Sequence, residues 1–237
     1  MPQQARLTDS HFLYDAAVVP LPDERFFEAD HWRNEGALLS TAQGRGAACI
    51  FAFRDGEYVL RHYRRGGLMA KLSDDNYRWS GLEQTRAWRE WFLLRDMVQL
   101  GLPVPRPIAA RVVHSGFFYT ADLVTQRLPQ VMPFADLLME RVLSEPQWRE
   151  IGATVKRFHR AGIYHADLNA RNILLDDFGR VFVIDFDKGE KRAPVQHWQR
   201  ENLERLQRSL LKFKKSQPQF WFDERCWQWL LAGYNDK

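Results

Sequence analysis

The sequence predicts an α+β fold of two lobes, a small β-rich lobe followed by a small helical lobe. Short apolar segments bounded by turn residues fill the first half of the chain, a pattern typical of strands. Longer segments with apolar residues at helical spacing fill the second half. Pro129 and Pro133 interrupt the chain between these patterns, so we place the lobes at residues 1–128 and 129–237.

The first lobe is predicted to be mainly β with one long helix. Its strands begin near Leu38 and continue at residues 48–53, 57–63, 111–114 and 117–126. Asp55-Gly56 is a strong hairpin signal between two of them. Residues 82–100 carry apolar side chains at helical spacing and are followed by Gly101, which predicts a helix that ends there. Residues 1–35 show no clear pattern.

The second lobe is predicted to be mainly helical. The predicted helices cover residues 134–143, 146–161, 196–215 and 220–234. Pro146 suits the first turn of a helix, and Gly162 suits the end of one. A hairpin of residues 173–175 and 181–184 lies between the second and third helices.

Composition narrows the class of protein. The 237 residues are 45% hydrophobic and 27% charged, which predicts a globular protein with an ample core. Cys49 and Cys226 are too far apart for a paired metal motif or a disulfide framework. Acidic and basic residues are interspersed, which disfavours a nucleic-acid binder. No apolar run reaches about 18 residues and residues 1–15 lack a signal pattern, so we expect a cytoplasmic protein. No obligate protein partner is evident from the sequence.

The strongest functional signal lies in residues 165–172 (HADLNARN) and 185–187 (DFD). Phosphoryl transfer from ATP needs a carboxylate, here Asp167, to accept the proton of the attacking hydroxyl. It also needs oxygen ligands for Mg²⁺, here Asn172 and Asp185. The alternative is that the two carboxylates merely cap turns. A D-F-D motif on its own would favour that alternative. The presence of both motifs at this spacing favours the catalytic interpretation.

These stretches resemble the protein-kinase-like superfamily, whose H-x-D-L-x-x-x-N signature is complete between His165 and Asn172. The resemblance implies one bilobal kinase-like domain, ATP and Mg²⁺ as cofactors, and a supporting role for His165. Ala166 replaces the Arg that regulated protein kinases use to engage a phosphorylated loop, which argues against such a switch. Asp187 replaces the Gly of D-F-G, and we expect it to bind a metal, to bind a substrate cation or, with slight preference, to cap the next turn.

The phosphate-contacting groups are predicted in the first lobe. Gly44 and Gly46, between two strands, would cover phosphates with backbone N–H groups, although the same residues also suit an ordinary hairpin. The superfamily places a Lys on the third strand, where this chain has Arg61, and Lys71 in the following loop is the rival for that role. We expect Glu90 to pair with Arg61, with Glu83 as second choice, unless Glu90 is an exposed partner of Arg86.

The adenine-contacting groups are also predicted in the first lobe. Strand alternation places Val59 on the face of Arg61, where it would pack on adenine. Residues 125–128 are expected to form the hinge, where the backbone at Gln126 and Leu128 would read the adenine edge.

Within that superfamily the chain resembles the lipopolysaccharide kinase family over nearly its whole length. The blocks that carry the resemblance are residues 60–68 (LRHYRRGGL), 85–90 (TRAWRE), 101–107 (GLPVPRP), 165–172 (HADLNARN) and 184–189 (IDFDKG). The resemblance implies a phosphotransferase that uses ATP to phosphorylate a hydroxyl of 3-deoxy-D-manno-octulosonic acid (Kdo) on lipid A. It also implies a peripheral protein at the cytoplasmic face of the bacterial inner membrane.

The acceptor side is less well defined by the sequence. Residues 188–237 contain no A-P-E motif and offer room for about two helices, which favours a small or lipid-linked acceptor over a peptide. The acceptor candidates are Arg64, Arg65, Asp187 and Lys188. Basic and aromatic residues between 212 and 222 suit either a lipid headgroup layer or an ordinary helix end, and we favour the helix end. A short atypical protein kinase and a catalytically inactive scaffold remain as alternatives.

Overall fold

The structure, a computed structural model, describes residues 2–41, 48–64 and 76–236. It confirms the prediction of an α+β fold. The chain divides into two compact units. The first comprises Met1–Arg95 with Pro105–Arg127, and the second comprises Asp96–Val104 with Leu128–Lys237.

The first unit is built on a single sheet. Its described strands are β1 (Pro2–Leu7), β2 (Ser10–Asp15), β3 (Leu38–Thr41), β4 (Ala48–Phe53), β5 (Gly56–His62), β6 (Tyr77–Arg78), β7 (Pro107–Ser115) and β8 (Phe118–Gln126). The strand order is β1-β2-β7-β8-β5-β4-β3, with β6 paired to β8, and every pairing is antiparallel. The helices are α1 (Ala29–Asn34) and α2 (Arg86–Gln99), and 3₁₀ turns lie at Glu24–Phe27 and Leu82–Gln84.

Residues 1–35, which showed no clear pattern, supply two strands and much of the core. Phe26 and Trp32 come from this segment and pack with Phe51 of β4. The rings of Trp32 and Phe51 stack with centroids 4.1 Å apart, and the Trp32 Nε1–H donates to the carbonyl of Phe26. The segment is irregular in sequence because its aromatic residues come from turns and a short helix rather than from one periodic element.

The two faces of strand β5 differ in burial, because successive side chains point to opposite faces of a sheet. Tyr58 and Leu60 are buried in the core of the unit. Val59 and Arg61, on the other face, are half-buried. The hairpin between β4 and β5 turns at residues 54–55, and Arg54 takes a positive φ of 50° there.

The second unit is mainly helical, with two small sheets. Its described strands are β9 (Val131–Pro133), β10 (Ile163–Tyr164), β11 (Ile173–Asp176), β12 (Val181–Val183) and β13 (Glu190–Lys191), and its helices are α3 (Phe134–Glu140), α4 (Glu145–Arg160), α5 (Gln196–Ser216) and α6 (Glu224–Asn235). The sheets have the orders β12-β11-β9 and β10-β13. No helix of the described residues combines the length and the apolar character needed to cross a membrane.

Helix α4 follows the predicted signals at both ends. Ser144 and Gln147 form a capping box at its start, and Gly162 just beyond its end has a φ of +73°. Helix α6 begins later than predicted, because the Asp223 side chain accepts a hydrogen bond from the Cys226 N–H and caps the helix there. The preceding aromatic residues 220–222 therefore lie outside the helix.

Helices α4 and α6 approach each other closely at two glycines. A Cβ placed on Gly152 would lie 2.0 Å from the carbonyl oxygen of Leu230. A Cβ placed on Gly233 would lie 2.0 Å from the carbonyl oxygen of Arg149. Both positions therefore need a residue without a side chain. In the chain, α4 directly precedes β10 and the loop that follows it.

Candidate active site

The loop of residues 165–172, between β10 and β11, is held by His165. This side chain is buried, with 4% of its surface exposed. Its Nδ1 accepts the backbone N–H of Asp167 at 3.1 Å, so its Nε2 carries the proton and donates to the carbonyl of Ile184 at 3.0 Å. Burial lowers the pKa of His165, which keeps the imidazole neutral in this tautomer. His165 thus ties the loop to the strand end that precedes Asp185.

Asn172 makes a second connection between the same two segments. Its side-chain amide N–H donates to the carbonyl of Asp167 at 3.0 Å. Its own carbonyl accepts the N–H of Ile184 at 2.9 Å. With the amide nitrogen so oriented, Oδ1 is the polar atom of the side chain that is left to face a ligand.

Asp185 follows Ile184 directly and adopts a positive φ of 63°. Asp is one of the few residues other than Gly that tolerate this region. The amide oxygen of Asn172 and the carboxylate of Asp185 are both hard oxygen donors, which fits Mg²⁺, an ion that keeps several waters and needs few protein ligands. Among the described residues, no group of three or more His, Cys, Asp or Glu side chains is placed to hold a metal ion.

The carboxylate of Asp167 is presented to solvent by this loop. Its side chain is 58% exposed. Oδ1 accepts a hydrogen bond from Arg205 Nη1 at 2.8 Å, and Oδ2 accepts one from Asn169 Nδ2 at 3.1 Å. Its backbone is fixed by His165 and Asn172, so the carboxylate is both oriented and accessible. Such a group is suited to accept a proton from an incoming hydroxyl.

The segment after Asp185 is anchored by Phe186, which is 1% exposed. Its ring packs on those of Phe158 and His165, with centroids 5.7 and 4.7 Å away. The carbonyl of Phe186 accepts the N–H of Gly189 at 2.7 Å and closes a turn. Asp187 in this turn is half-buried, and its predicted role stays a prediction.

Helix α5 is fastened to the same loop by Asn202, a residue that the sequence reasoning did not single out. Asn202 is 2% exposed, and its side chain accepts the backbone N–H of His165 at 3.2 Å and donates to the His165 carbonyl at 3.0 Å. This pairing places Arg205, almost one turn further along α5, beside Asp167. The available signal was a polar residue on the apolar face that contains Leu203 and Leu206.

In the first unit the structure brings Arg61 and Glu90 together. Arg61 Nη2 lies 2.5 Å from Glu90 Oε2, and the Tyr63 hydroxyl donates to the same oxygen at 2.6 Å. Glu90 is 3% exposed, so it is not the exposed helix residue of the alternative interpretation. Arg86, the partner in that alternative, donates to the Tyr77 hydroxyl instead. Glu83, the second choice, is exposed in a 3₁₀ turn.

The remaining nucleotide candidates are placed in part. Gly44, Gly46, Arg65 and the rival Lys71 lie outside the described residues. Val59 is half-buried on the face of β5 that carries Arg61. The N–H of Gln126 donates to the carbonyl of Arg106 at 2.8 Å, and the predicted role of the Gln126 backbone stays a prediction. Leu128, just beyond β8, is half-buried.

The structure also contains a pocket of about 610 Å³ beside Asp167, which we call the α5 pocket. One face of α5 and the end of the catalytic loop form it, with four cationic side chains and one carboxylate. Its lining residues are Asp167, Asn169, Arg171, Arg205, Arg208, Ser209, Lys212, Phe213 and Ser216. The six α5 members recur at intervals of three, one, three, one and three residues, which places them on one helix face. That spacing was the signal available in the sequence.

The structure describes three of the predicted acceptor residues, Arg64, Asp187 and Lys188. Asp187 and Lys188 are not among the residues that line the α5 pocket, and Lys188 is exposed with a positive φ of 60°. Arg64 is exposed two residues after β5. The sequence analysis predicted a helix over residues 196–215 and assigned no function to Arg205 and Arg208.

Comparison with known proteins agrees with the chemistry of this site. Residues 29–234 match the lipopolysaccharide kinase (Kdo/WaaP) family. A 3-deoxy-D-manno-octulosonic acid kinase of Vibrio parahaemolyticus is 42% identical over 212 residues, which are 90% of this chain and 89% of that protein. Proteins of the same name from Vibrio vulnificus and Mannheimia succiniciproducens are 35% and 41% identical and cover 100% and 98% of this chain and 100% and 99% of their own length.

Proposed function

Because this chain belongs to the lipopolysaccharide kinase (Kdo/WaaP) family and is therefore a kinase, we propose that it transfers phosphate from ATP to a hydroxyl of Kdo on lipid A. Relatives named for the Kdo reaction match it over most of both chains, which supports this acceptor. The observation that carries the proposal is the loop of residues 165–172, which His165 and Asn172 brace while the Asp167 carboxylate stays accessible.

Asp167 is the proposed catalytic base. Its carboxylate would accept the proton of the attacking sugar hydroxyl as the phosphate bond forms. The hydrogen bonds to its backbone N–H and carbonyl keep it in place during this transfer. Asn169 holds the second oxygen, so the carboxylate is presented in one orientation.

Asn172 and Asp185 are the proposed ligands of Mg²⁺. When bound, the ion neutralises charge on the triphosphate. The chain's own contribution is to hold two oxygen donors on segments joined by the hydrogen bonds of Ile184 to His165 and Asn172. Asp187, immediately after Phe186, remains a candidate for an additional ligand or for a turn cap.

Arg61 is the proposed phosphate contact from the first unit. Glu90 and Tyr63 fix its guanidinium from one side, as a lysine and glutamate pair does in protein kinases. A guanidinium can bind phosphate oxygens in a fork, which a lysine cannot do. Val59 and the backbone near Leu128 are proposed to contact adenine, and Gly44 and Gly46 are proposed to cover the phosphates.

The site of action is proposed to be the cytoplasmic face of the bacterial inner membrane. The acceptor is a lipid, so the protein must reach a membrane surface to meet it. Association is proposed to be peripheral.

The test is phosphate transfer by the purified protein with ATP and Mg²⁺. The acceptors are Kdo-lipid A, lipid A without Kdo, and casein as a generic protein. We expect transfer to Kdo-lipid A alone. Asp167→Ala should lower turnover by about 10²–10⁴-fold, as loss of a general base does, while a fluorescent ATP analogue still binds. Asp177→Ala, which removes an exposed carboxylate in the β11–β12 turn, should leave turnover unchanged.

Three outcomes would count against the proposal. Transfer to casein would indicate a protein kinase of short, atypical type. Nucleotide binding with no transfer to any acceptor would indicate a catalytically inactive scaffold. Full turnover by Asp167→Ala would remove the assignment of the base.

A further inference from the structure

The α5 pocket has an excess of positive charge that its own residues do not neutralise. Arg171, Arg205, Arg208 and Lys212 contribute to its wall, and Asp167 is the one carboxylate among the lining residues. Arg171 lies over the ring of Phe213, 5.3 Å from its centroid, which fixes it against the wall. Like charges gathered around a concave volume repel one another and attract anions. The chemistry of the wall therefore fits a ligand with several negative charges.

The α5 pocket is larger than a single small ion requires. A volume of about 610 Å³ lies within the range of sites for small organic ligands. Asn169 and Ser209 add polar groups to the charged ones, as a sugar with several hydroxyls requires. Asp167 lines the pocket, so a ligand that fills it lies against the proposed base.

Arg205 links the α5 pocket to Asp167. Its Nη1 donates to Asp167 Oδ1 at 2.8 Å, and the two side chains are 47% and 58% exposed. A substrate hydroxyl that approaches Oδ1 must compete with this contact. An ion pair with this exposure is weak and exchanges readily, because water solvates both partners when they separate. A carboxylate on the ligand would offer the guanidinium a bidentate partner in exchange.

We propose that the α5 pocket binds the anionic part of the sugar-lipid acceptor and that Arg205 determines specificity for an acidic sugar. Arg208 and Lys212 bind the anionic groups of the acceptor. The sugar carboxylate takes the Arg205 guanidinium from Asp167, and the oxygen so released receives the hydroxyl that is to be phosphorylated. A neutral sugar leaves Arg205 on Asp167 and reacts slowly. This inference rests on the proposed function, since it takes Asp167 as the base.

The test compares two matched acceptors, Kdo-lipid A and the same molecule with its Kdo carboxylate converted to a methyl ester. Wild-type protein should prefer the free acid by about 10²-fold in kcat/KM. Arg205→Ala should reduce this preference to about threefold or less, because Asp167 no longer needs to be released. Arg208→Ala and Lys212→Ala should each raise the KM for the free acid about tenfold, with the KM for ATP within about twofold of wild type.

Matched controls come from the same helix. Lys215 and Arg200 lie on α5, are exposed and do not line the α5 pocket. Lys215→Ala and Arg200→Ala change the net charge as the pocket variants do, so they should leave both KM values and the acid preference unchanged. Thermal denaturation of every variant checks that the helix still folds.

The results distinguish failure of the inference from failure of the proposed function. An undiminished acid preference in Arg205→Ala would overturn the inference while leaving the function intact. A raised KM for ATP in Arg208→Ala or Lys212→Ala, with the acceptor KM unchanged, would assign the α5 pocket to the nucleotide and overturn it as well. If wild type transfers phosphate to neither acceptor, the proposed function fails. Binding of both acceptors in detergent micelles without ATP, measured in parallel, then decides whether the α5 pocket distinguishes acid from ester.

Discussion

The ion pair of Arg61 and Glu90 allows a sharp test of what stabilises the first unit. Arg61→Met would keep much of the side-chain volume and remove the guanidinium that lies 2.5 Å from the Glu90 carboxylate. Glu90 is 3% exposed, so its charge would remain buried with a weaker set of partners. Breaking a buried pair by removing one partner costs about 3–5 kcal/mol.

The structure lowers that figure for two reasons. The Arg61 side chain is 25% exposed, so solvent already screens part of the interaction. The Tyr63 hydroxyl still donates to Glu90 Oε2 at 2.6 Å. We therefore expect Arg61→Met to destabilise the protein by about 2–3 kcal/mol, which corresponds to a fall in Tm of roughly 5–10 °C for a chain of this length.

Glu90→Gln is the matched perturbation of the other partner. It keeps an oxygen that accepts from Tyr63, and the charge that remains, on Arg61, is partly exposed to solvent, so it should cost about 1 kcal/mol. The double variant Arg61→Met/Glu90→Gln should be more stable than the sum of the two costs predicts, by about 1–2 kcal/mol. Arg86→Met, which removes a nearby guanidinium bonded to Tyr77, serves as the control for loss of an arginine in general.

The assay is urea denaturation of wild type and the four variants, with ATP affinity measured on the same samples. Additive costs in the double variant would refute the argument that the buried charge of Glu90 dominates. Unchanged stability in Arg61→Met would do so too. Unchanged ATP affinity in Arg61→Met would remove the proposed phosphate contact while leaving the stability argument intact.

Three further predictions concern other parts of the molecule. Burial lowers the pKa of His159 to about 4 and also lowers that of His165, so the unfolded chain binds protons that the folded chain does not. The free energy of unfolding should therefore fall between pH 6.5 and 4, by about 3 kcal/mol from His159. Urea titrations at several pH values measure this fall, and His159→Gln should make the dependence on pH flatter. Gly152→Ala places a Cβ 2.0 Å from the Leu230 carbonyl and should cost more than about 2 kcal/mol in the same titrations. ATP with Mg²⁺ should increase the free energy of unfolding of wild type by mass action, by about 2.7 kcal/mol at 100 times the Kd, and this is measured as a rise in Tm. Asp185→Ala should abolish the part of the rise that depends on Mg²⁺.

The two buried histidines make different hydrogen bonds. His159 hydrogen-bonds the Tyr234 hydroxyl through Nδ1 at 2.8 Å and also interacts with Asn202, which docks on the backbone of His165. His165 supports the catalytic loop directly. Activity that falls at a higher pH than stability would indicate that the loop loosens before the unit unfolds. Coincident losses of activity and stability would indicate one cooperative transition.

Much of the candidate active site could be assembled from the sequence because its residues are close together in the chain. Asp167 and Asn172 lie in one loop, and Asp185 follows after a single hairpin. The chemistry of phosphoryl transfer restricts the residue types at these positions. Arg61 and Glu90 were predictable for a different reason, since strand and helix periods identify which side chains share a face. Their contact across 29 positions needed the packing of α2 against the sheet.

Other features lay beyond sequence reasoning. Residues 1–35 have no single period, and their aromatic residues became core only when β2 and β7 paired. Sequence reasoning did not give the partner of the Gln126 N–H, because Arg106, which accepts that hydrogen bond, comes from a segment distant in sequence. In the sequence, Asn202 is a polar residue among the apolar residues of α5. In the structure its side chain makes two hydrogen bonds with the backbone of His165.

The sequence alone therefore determined the fold class, the class of reaction and the residues of the catalytic loop, because local spacing and residue chemistry specify them. The tertiary structure alone decided what surrounds Asp167. The cationic face of α5 begins 38 positions after Asp167, and nothing in the sequence fixes which side of an amphipathic helix meets which loop. That choice is made when the apolar face of α5 is buried and Asn202 docks on His165, which turns Arg205 toward the carboxylate.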